Sequence, residues 1–223
     1  MNNELLWIGF MVLNFALILI GYKLFGQKGL FAWIVLSAIL ANVQVLKTVE
    51  LFGQVATLGN IMYGTSFLAT DILSEKYGKK EARKGVYLGI FTLIVTAVLM
   101  TFSLKFAPHE SDWVQDSLMN VFGIIPRIAF ASTLAYFISQ MHDTWAYDYW
   151  KRKSDHIWVR NNLSTAVSQL IDTLVFTFIA FWGIYETPVF VSILITTYVF
   201  KFIVATLDTP FIYMAKGIDK HIF

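Results

Sequence analysis

The chain has 223 residues, of which 57% are hydrophobic, 17% aromatic and only 14% charged, against about 25% charged in soluble domains. Its formal charge of +2 is too small for a nucleic-acid binder, and the absence of cysteine excludes a disulfide scaffold and thiolate metal sites. A soluble protein of this length would not need so much apolar material.

Seven apolar stretches approach or reach the ~20 helical residues needed to cross a bilayer core of about 30 Å. The first lies near 5–22. The preceding MNNE has no basic residue and no small-residue cleavage site follows, so the stretch is expected to be a retained helix rather than a signal peptide. The second and third lie near 29–50 and 54–75; the third is the weakest, because VATLGNIMYGTSFLAT is rich in Gly, Thr, Ser and Asn. The fourth lies near 85–107. The fifth, near 119–145, has Pro126 in its opening turns, where proline is tolerated. The sixth lies near 162–183, and the seventh, near 188–214, contains Pro210, which is expected to kink it. The runs are too long and too uniformly apolar for barrel strands, which alternate over about ten residues. Helices are required, because lipid offers the backbone no partners. The expected fold is a single all-α transmembrane domain over 1–223, a bundle of about seven helices. Small residues four apart, Ser37/Ala41, Ala131/Ala135 and Ser164/Ser168, mark close helix packing.

Basic residues set the orientation. Lys23 and Lys28 follow the first stretch; Lys76, Lys79, Lys80, Arg83 and Lys84 follow the third; Lys151, Arg152, Lys153 and Arg160 follow the fifth; Lys216 and Lys220 lie in the tail. These hold thirteen of the 17 lysines and arginines, whereas the opposite connections PHESDWVQDS and GIYETP hold none. The expected topology has the N-terminus outside and the C-terminus in the cytoplasm, and the lysine cluster is a membrane anchor, not a nucleic-acid site.

Four basic residues fall elsewhere. Lys105 and Lys47 lie near helix ends, where they can snorkel, Lys47 beside Glu50. Arg127 lies roughly two turns below the outer surface. Lys201 is thirteen residues into its helix, about 20 Å deep at 1.5 Å per residue. Asp172 lies close to the midplane, where a charge is costly and faces a partner or a cavity. Thr165, Ser168, Gln169 and Asp172 share one face of their helix. Tyr136, Gln140 and Asp143 form a second stripe, with Asp71 at similar depth, and Asn42, Asn60 and Tyr63 add polar groups from two more helices. Buried ion pairs that only fix packing are one reading; a shared wet cavity is the other, and the sum of polar groups exceeds what packing needs. Asp71 and Asp143 could also pair with the neighbouring basic loops. Carboxylates, carboxamides and a lysine, with 20 Phe, ten Tyr and seven Trp, suit a flat polar heterocycle among other small polar solutes.

Neither a phosphate-binding G-x-x-x-x-G-K-[ST] loop nor an H-E-x-x-H or G-x-S-x-G motif is present, and the histidines, His109, His142, His156 and His221, lie mostly in or beside loops. An enzyme is not expected.

FLATDILSEKYG (67–78), PRIAFASTLAYFISQMHD (126–143), STAVSQLIDTLVFTFIAFW (164–182) and YVFKF (198–202) resemble the queuosine precursor transporter family, also called the vitamin uptake transporter family. The resemblance runs from about residue 42 onward; the first stretch departs from it. It implies a multi-pass protein of the cytoplasmic membrane, without cofactor or metal, that imports 7-deazaguanines: 7-cyano-7-deazaguanine, its aminomethyl relative or queuine. The alternative is the substrate-binding subunit of an energy-coupling, ATP-driven vitamin transporter. The partners implied are the small-molecule substrate, membrane lipid and a second copy in a homodimer, with no nucleic acid. The substrate-binding candidates are Asn42, Asn60, Tyr63, Arg127, Gln140, Gln169, Asp172 and Lys201; Asp71 and Asp143 are expected to gate or couple. Asp172 with Gln169 is expected to read the donor edge of the ligand, and Lys201 to neutralise Asp172 when the site is empty or to contact O6.

Overall fold

A computed structural model describes residues 2–123, 125–183 and 186–218; Lys220 and His221 lie outside the described residues. The chain is an all-α membrane protein apart from one small hairpin. Its helices are α1 (Asn3–Phe25), α2 (Gln27–Gln44), α3 (Gly59–Tyr77), α4 (Lys79–Ser103), α5 (Gln115–Phe122), α6 (Ile125–Lys151), α7 (Ile157–Phe181), α8 (Thr187–Leu207) and α9 (Thr209–Lys216). Strands β1 (Thr48–Leu51) and β2 (Gln54–Thr57) separate α2 from α3. Among the described residues, four helices are long and apolar enough to cross a membrane, or five if the bent pair α5 and α6 is one span.

The weak third stretch explains itself in three dimensions. From Gly59 to Ser74, α3 is buried at every position except Tyr63. It packs against α1, α2, α4, α6, α8 and α9. A helix screened from lipid by its neighbours has no need of an apolar surface. Its small residues let the others approach closely, and its hydroxyls find partners, as where the Trp33 indole donates to Thr65 Oγ1 at 3.1 Å. Lipid-facing helices show the opposite, with Leu13, Phe91, Leu99 and Ile195 exposed.

Between the second and third stretches, helix was expected across 29–50 and from 54; the structure has an antiparallel hairpin there instead. Leu51 pairs with Gln54, leaving a two-residue turn at Phe52 and Gly53. Both turn residues have positive φ, 52° and 71°, the conformation that matches the twist of a tight hairpin. The strands satisfy each other's backbone, and α1 satisfies part of the rest. Glu4 Oε1 accepts from the Phe52 N–H at 3.1 Å, and Asn3 Nδ2 donates to the Glu50 carbonyl at 3.2 Å. Phe52 also stacks on Phe200 of α8, and Trp7 of α1 packs against both rings. The first helix thus clamps the hairpin onto α8.

Two further differences are local. The fifth stretch is divided: α5 lies at 41° to α6, which opens at Ile125–Pro126 and runs on to Lys151. Pro210 does more than kink its helix. The helix stops at Leu207 and restarts as α9 with the proline in its first turn, because proline cannot donate to the preceding turn and crowds its carbonyl. At Gly29, any Cβ would overlap the Gly21 carbonyl oxygen, so the α1–α2 crossing needs glycine. The small pairs Ser37/Ala41, Ala131/Ala135 and Ser164/Ser168 are all buried, the last two where α6 lies against α7.

Candidate functional site

Helix α7 carries the polar spine of the bundle. Ser164, Thr165, Ser168, Gln169, Asp172, Thr173 and Thr177 are each at most 1% exposed. They recur at the helical period and face α6, α3 and α8 rather than lipid.

At its centre, Asp172 receives donors from three other helices. Oδ1 accepts from the Tyr63 hydroxyl of α3 at 2.5 Å and from Ser139 Oγ of α6 at 3.2 Å. Oδ2 is ion-paired with Lys201 of α8. Both charged side chains are withdrawn from the surface, at 1% and 6% exposure. The Lys201 ammonium also lies 4.6 Å from the centroid of the Tyr63 ring and 5.9 Å from that of Phe176, close enough for attraction to the π faces. Charge, hydrogen bonds and ring contacts therefore converge on one carboxylate from α3, α6 and α8. A carboxylate so placed accepts hydrogen bonds from whatever donors come near, and the Lys201 ammonium offsets its charge.

Around this centre the aromatic rings are ordered. Tyr63 and Tyr136 meet edge to face at 5.8 Å, and the Tyr136 hydroxyl lies 3.1 Å from Ser66 Oγ. A crevice lined by Ser37, Ala38, Asn42, Tyr63, Ser66, Leu93 and Tyr136 opens beside them. It is narrow, with room for about one water. Asn42 lines it, with its Nδ2 donating to the Ala38 carbonyl at 2.8 Å. Asn60 is buried at the start of α3.

Some polar groups here have capacity left. Gln169 is fully buried, and neither its Oε1 nor its Nε2 makes a hydrogen bond; the same holds for Gln140 Nε2 and the hydroxyls of Thr173 and Thr177. Buried polar atoms are nearly always paired with protein or with ordered water, so this concentration around Asp172 marks a polar seam in the bundle.

Toward the lysine-rich end, Asp71 of α3 and Asp143 of α6 face each other, both buried. Thr165 lies 3.5 Å from Asp71, and His142 Nδ1 lies 2.8 Å from Ser168 Oγ. Neither acid is ion-paired with a lysine or arginine among the described residues. The basic loops are instead drawn to Glu75. Arg160 reaches its Oε1 at 2.7 Å, Lys216 the same atom at 3.2 Å, and Lys151 its Oε2 at 3.6 Å. Lys151 also donates to the Ser74 and Glu75 carbonyls at 3.0 and 2.9 Å, and Lys76 to the Lys216 and Ile218 carbonyls. This knot ties α3, α6, α7 and α9 together at one end. Arg127 sits at the other, in the first turn of α6 and away from the centre. It donates to the Ile179 and Trp182 carbonyls that end α7, both at 2.8 Å.

The structure thus brings Tyr63, Asp172 and Lys201 into contact, with Gln169 one turn away on α7 and Gln140 and Asn42 on facing helices; Arg127 stands apart. Ser139, Ser66 and Glu75 complete the network. They carry no periodic signal beyond that of any small or interfacial residue, so only Tyr136, already on the α6 stripe, was visible beforehand.

Residues 57–215 match the family model described as "Putative vitamin uptake transporter". A protein of Bacillus subtilis (strain 168) named "Probable queuosine precursor transporter" is 49% identical over 219 residues, 97% of this chain and 96% of its own length. The "Queuosine precursor transporter" of Escherichia coli (strain K12) is 30% identical over 162 residues, covering 72% of this chain and 70% of its own. A Haemophilus influenzae relative named "Probable queuosine precursor transporter" is 28% identical over 57% of this chain and 52% of its own. No solved structure matches the chain. With a match over most of its length and a near-full-length relative at this identity, the chain belongs to the vitamin uptake transporter family of multi-pass membrane transporters.

Proposed function

We propose that this chain is a secondary transporter that imports 7-deazaguanine precursors of queuosine across the cytoplasmic membrane, with Asp172 as the residue that reads them. The printed names of its relatives support the substrate class. The observation that carries the site is the convergence of Tyr63, Ser139 and Lys201 on the buried Asp172, one turn from a carboxamide with both ends unpaired.

The chemistry follows from donors and acceptors. A 7-deazaguanine presents the N1–H and the exocyclic amine on one edge, which pair with the two oxygens of a carboxylate. As the ligand arrives, Asp172 exchanges Lys201 for this edge, and the freed ammonium turns to the O6 acceptor. Gln169 adds an amide on the same face. Tyr63 and Tyr136 offer ring faces for stacking, and Asn42, Asn60 and Gln140 supply polar groups at the rim. Entry requires α6 and α7 to part from α3 and α8, since Asp172 on α7 is held by residues of both. The Arg127 contact and the Glu75 knot are the closures at the two ends. Seven crossings, with α8 and α9 as one, leave the N-terminus outside and the lysine-rich connections in the cytoplasm, in accord with the charge distribution.

The test is uptake in a host that cannot make queuosine precursors and lacks energy-coupling ATPases. Expression of this chain is expected to restore queuosine in its tRNA when 7-cyano-7-deazaguanine is supplied at low concentration. Restoration only when an energy-coupling module is co-expressed would instead make the chain a substrate-binding subunit of an ATP-driven transporter.

A further inference from the structure

We propose that the facing carboxyl groups of Asp71 and Asp143 form a proton-binding site, separate from the substrate site, through which one proton accompanies each substrate molecule inward. The proposal rests on the transport reading above.

Asp71 and Asp143 are 1% and 0% exposed. The Asp143 carboxyl has Asp71, Ser164, Thr165 and Ser168 around it, and no cation among them. The charged and titratable groups nearby do not compensate the pair. From the α8–α9 junction comes a third acid, Asp208, which adds to the negative field at Asp71. Tyr147 of α6 is near enough to feel both acids, and Arg160 of α7 is ion-paired with Glu75 of α3. His142 points to Ser168, and Lys201 of α8 is committed to Asp172. Two carboxyls in contact, out of water and without a cation, cannot both be ionised; they share a proton. Among the described residues no three acids or histidines are arranged to hold a metal ion.

Gln140 points independently to a site whose charge changes. It is fully buried and lies one turn from Asp143 on α6. Its Oε1 is 3.2 Å from the hydroxyl of Thr70, the neighbour of Asp71, while its Nε2 donates to nothing. An amide donor held there without an acceptor is placed to stabilise the pair in its charged, singly protonated state. The same stretch of α6 reaches the substrate centre, since Ser139, next to Gln140, donates to Asp172. The protonation state of the pair and the occupancy of Asp172 therefore act on one helix. The cycle balances simply: the pair, holding its one shared proton, takes a second proton from the outer side while the bundle opens outward and releases that proton inside, with no covalent change to the substrate.

The experiment uses the full chain in liposomes that contain a pH dye, with 7-cyano-7-deazaguanine as probe. Adding the probe outside is expected to acidify the lumen. An inward proton gradient is expected to drive accumulation toward tenfold per pH unit, the limit for one proton per neutral substrate, because one unit of pH is about 1.4 kcal/mol. In Asp143→Asn the gradient dependence should vanish, while exchange of internal for external probe, which needs no net proton flow, persists. Normal wild-type uptake that is indifferent to the proton gradient, or driven by sodium, overturns the proton site and leaves the transport reading standing. Gradient-driven accumulation by a folded Asp71→Asn/Asp143→Asn double variant also overturns it. If the wild-type protein shows neither uptake nor exchange, both readings fall.

Discussion

Asp172→Asn is expected to abolish uptake and also to lower stability, and the second effect can be removed without restoring the first. The substitution leaves the Lys201 ammonium at 6% exposure with no carboxylate, and breaking one side of a buried pair costs about 3–5 kcal/mol. The double variant Asp172→Asn/Lys201→Met removes both charges, and replacing a whole buried pair by apolar groups is often near neutral. Thermal unfolding in detergent should therefore show a large loss in the single variant and recovery in the double. Uptake should stay absent in both. Uptake that returns together with stability would mean that the pair serves packing alone.

The second large effect concerns the knot at the lysine-rich end. Glu75 and Arg160 are 6% and 5% exposed, and Lys151 and Lys216 converge on the same carboxylate. Glu75→Gln removes the one charge that satisfies three cations from α6, α7 and α9. By the same logic a loss of about 3–5 kcal/mol is expected from stranding Arg160, with less from Lys216, which is half exposed and screened by water. Unfolding temperature is the first readout. The second is proteolysis of the C-terminal segment, since α9 is tied to α3 through this knot and the Lys76 contacts. If α9 stays as protected in Glu75→Gln as in the parent, the knot is not what closes this end.

Much of this architecture could be seen in the amino acids, for physical reasons that can be named. The α7 stripe is visible because a helix in an apolar setting shows its polar face at a 3.6-residue period, and Thr165, Ser168, Gln169 and Asp172 do come out buried together. The partnership of Asp172 with Lys201 could be anticipated because two opposite charges at midplane depth have few alternatives. The hairpin could not. Its local signals, the β-branched Thr48, Val49, Val55 and Thr57 and a turn ending in Gly53, span only ten residues beside longer apolar runs, while its stability depends on Glu4, Trp7 and Phe200 from distant parts of the chain. Ser139 was hidden for another reason. A serine on a membrane helix more often serves close packing, and nothing in its own neighbourhood tells that it reaches a carboxylate 33 positions away. Glu75 was masked by the lysines around it, since an acid at a basic membrane edge looks like an ordinary surface partner. Arg127, grouped with the substrate candidates, instead joins the ends of α6 and α7.

The most direct test of the account is the affinity of the purified protein for a matched pair of ligands: 7-cyano-7-deazaguanine and the same ring lacking the exocyclic amine. If Asp172 accepts from that amine, the truncated ligand leaves a buried carboxylate oxygen unpaired, worth about 1–3 kcal/mol. It should then bind roughly 10- to 100-fold more weakly, and the difference should disappear in Asp172→Asn/Lys201→Met. Equal affinity of the two ligands for the unaltered protein would contradict the placement of the substrate edge on Asp172.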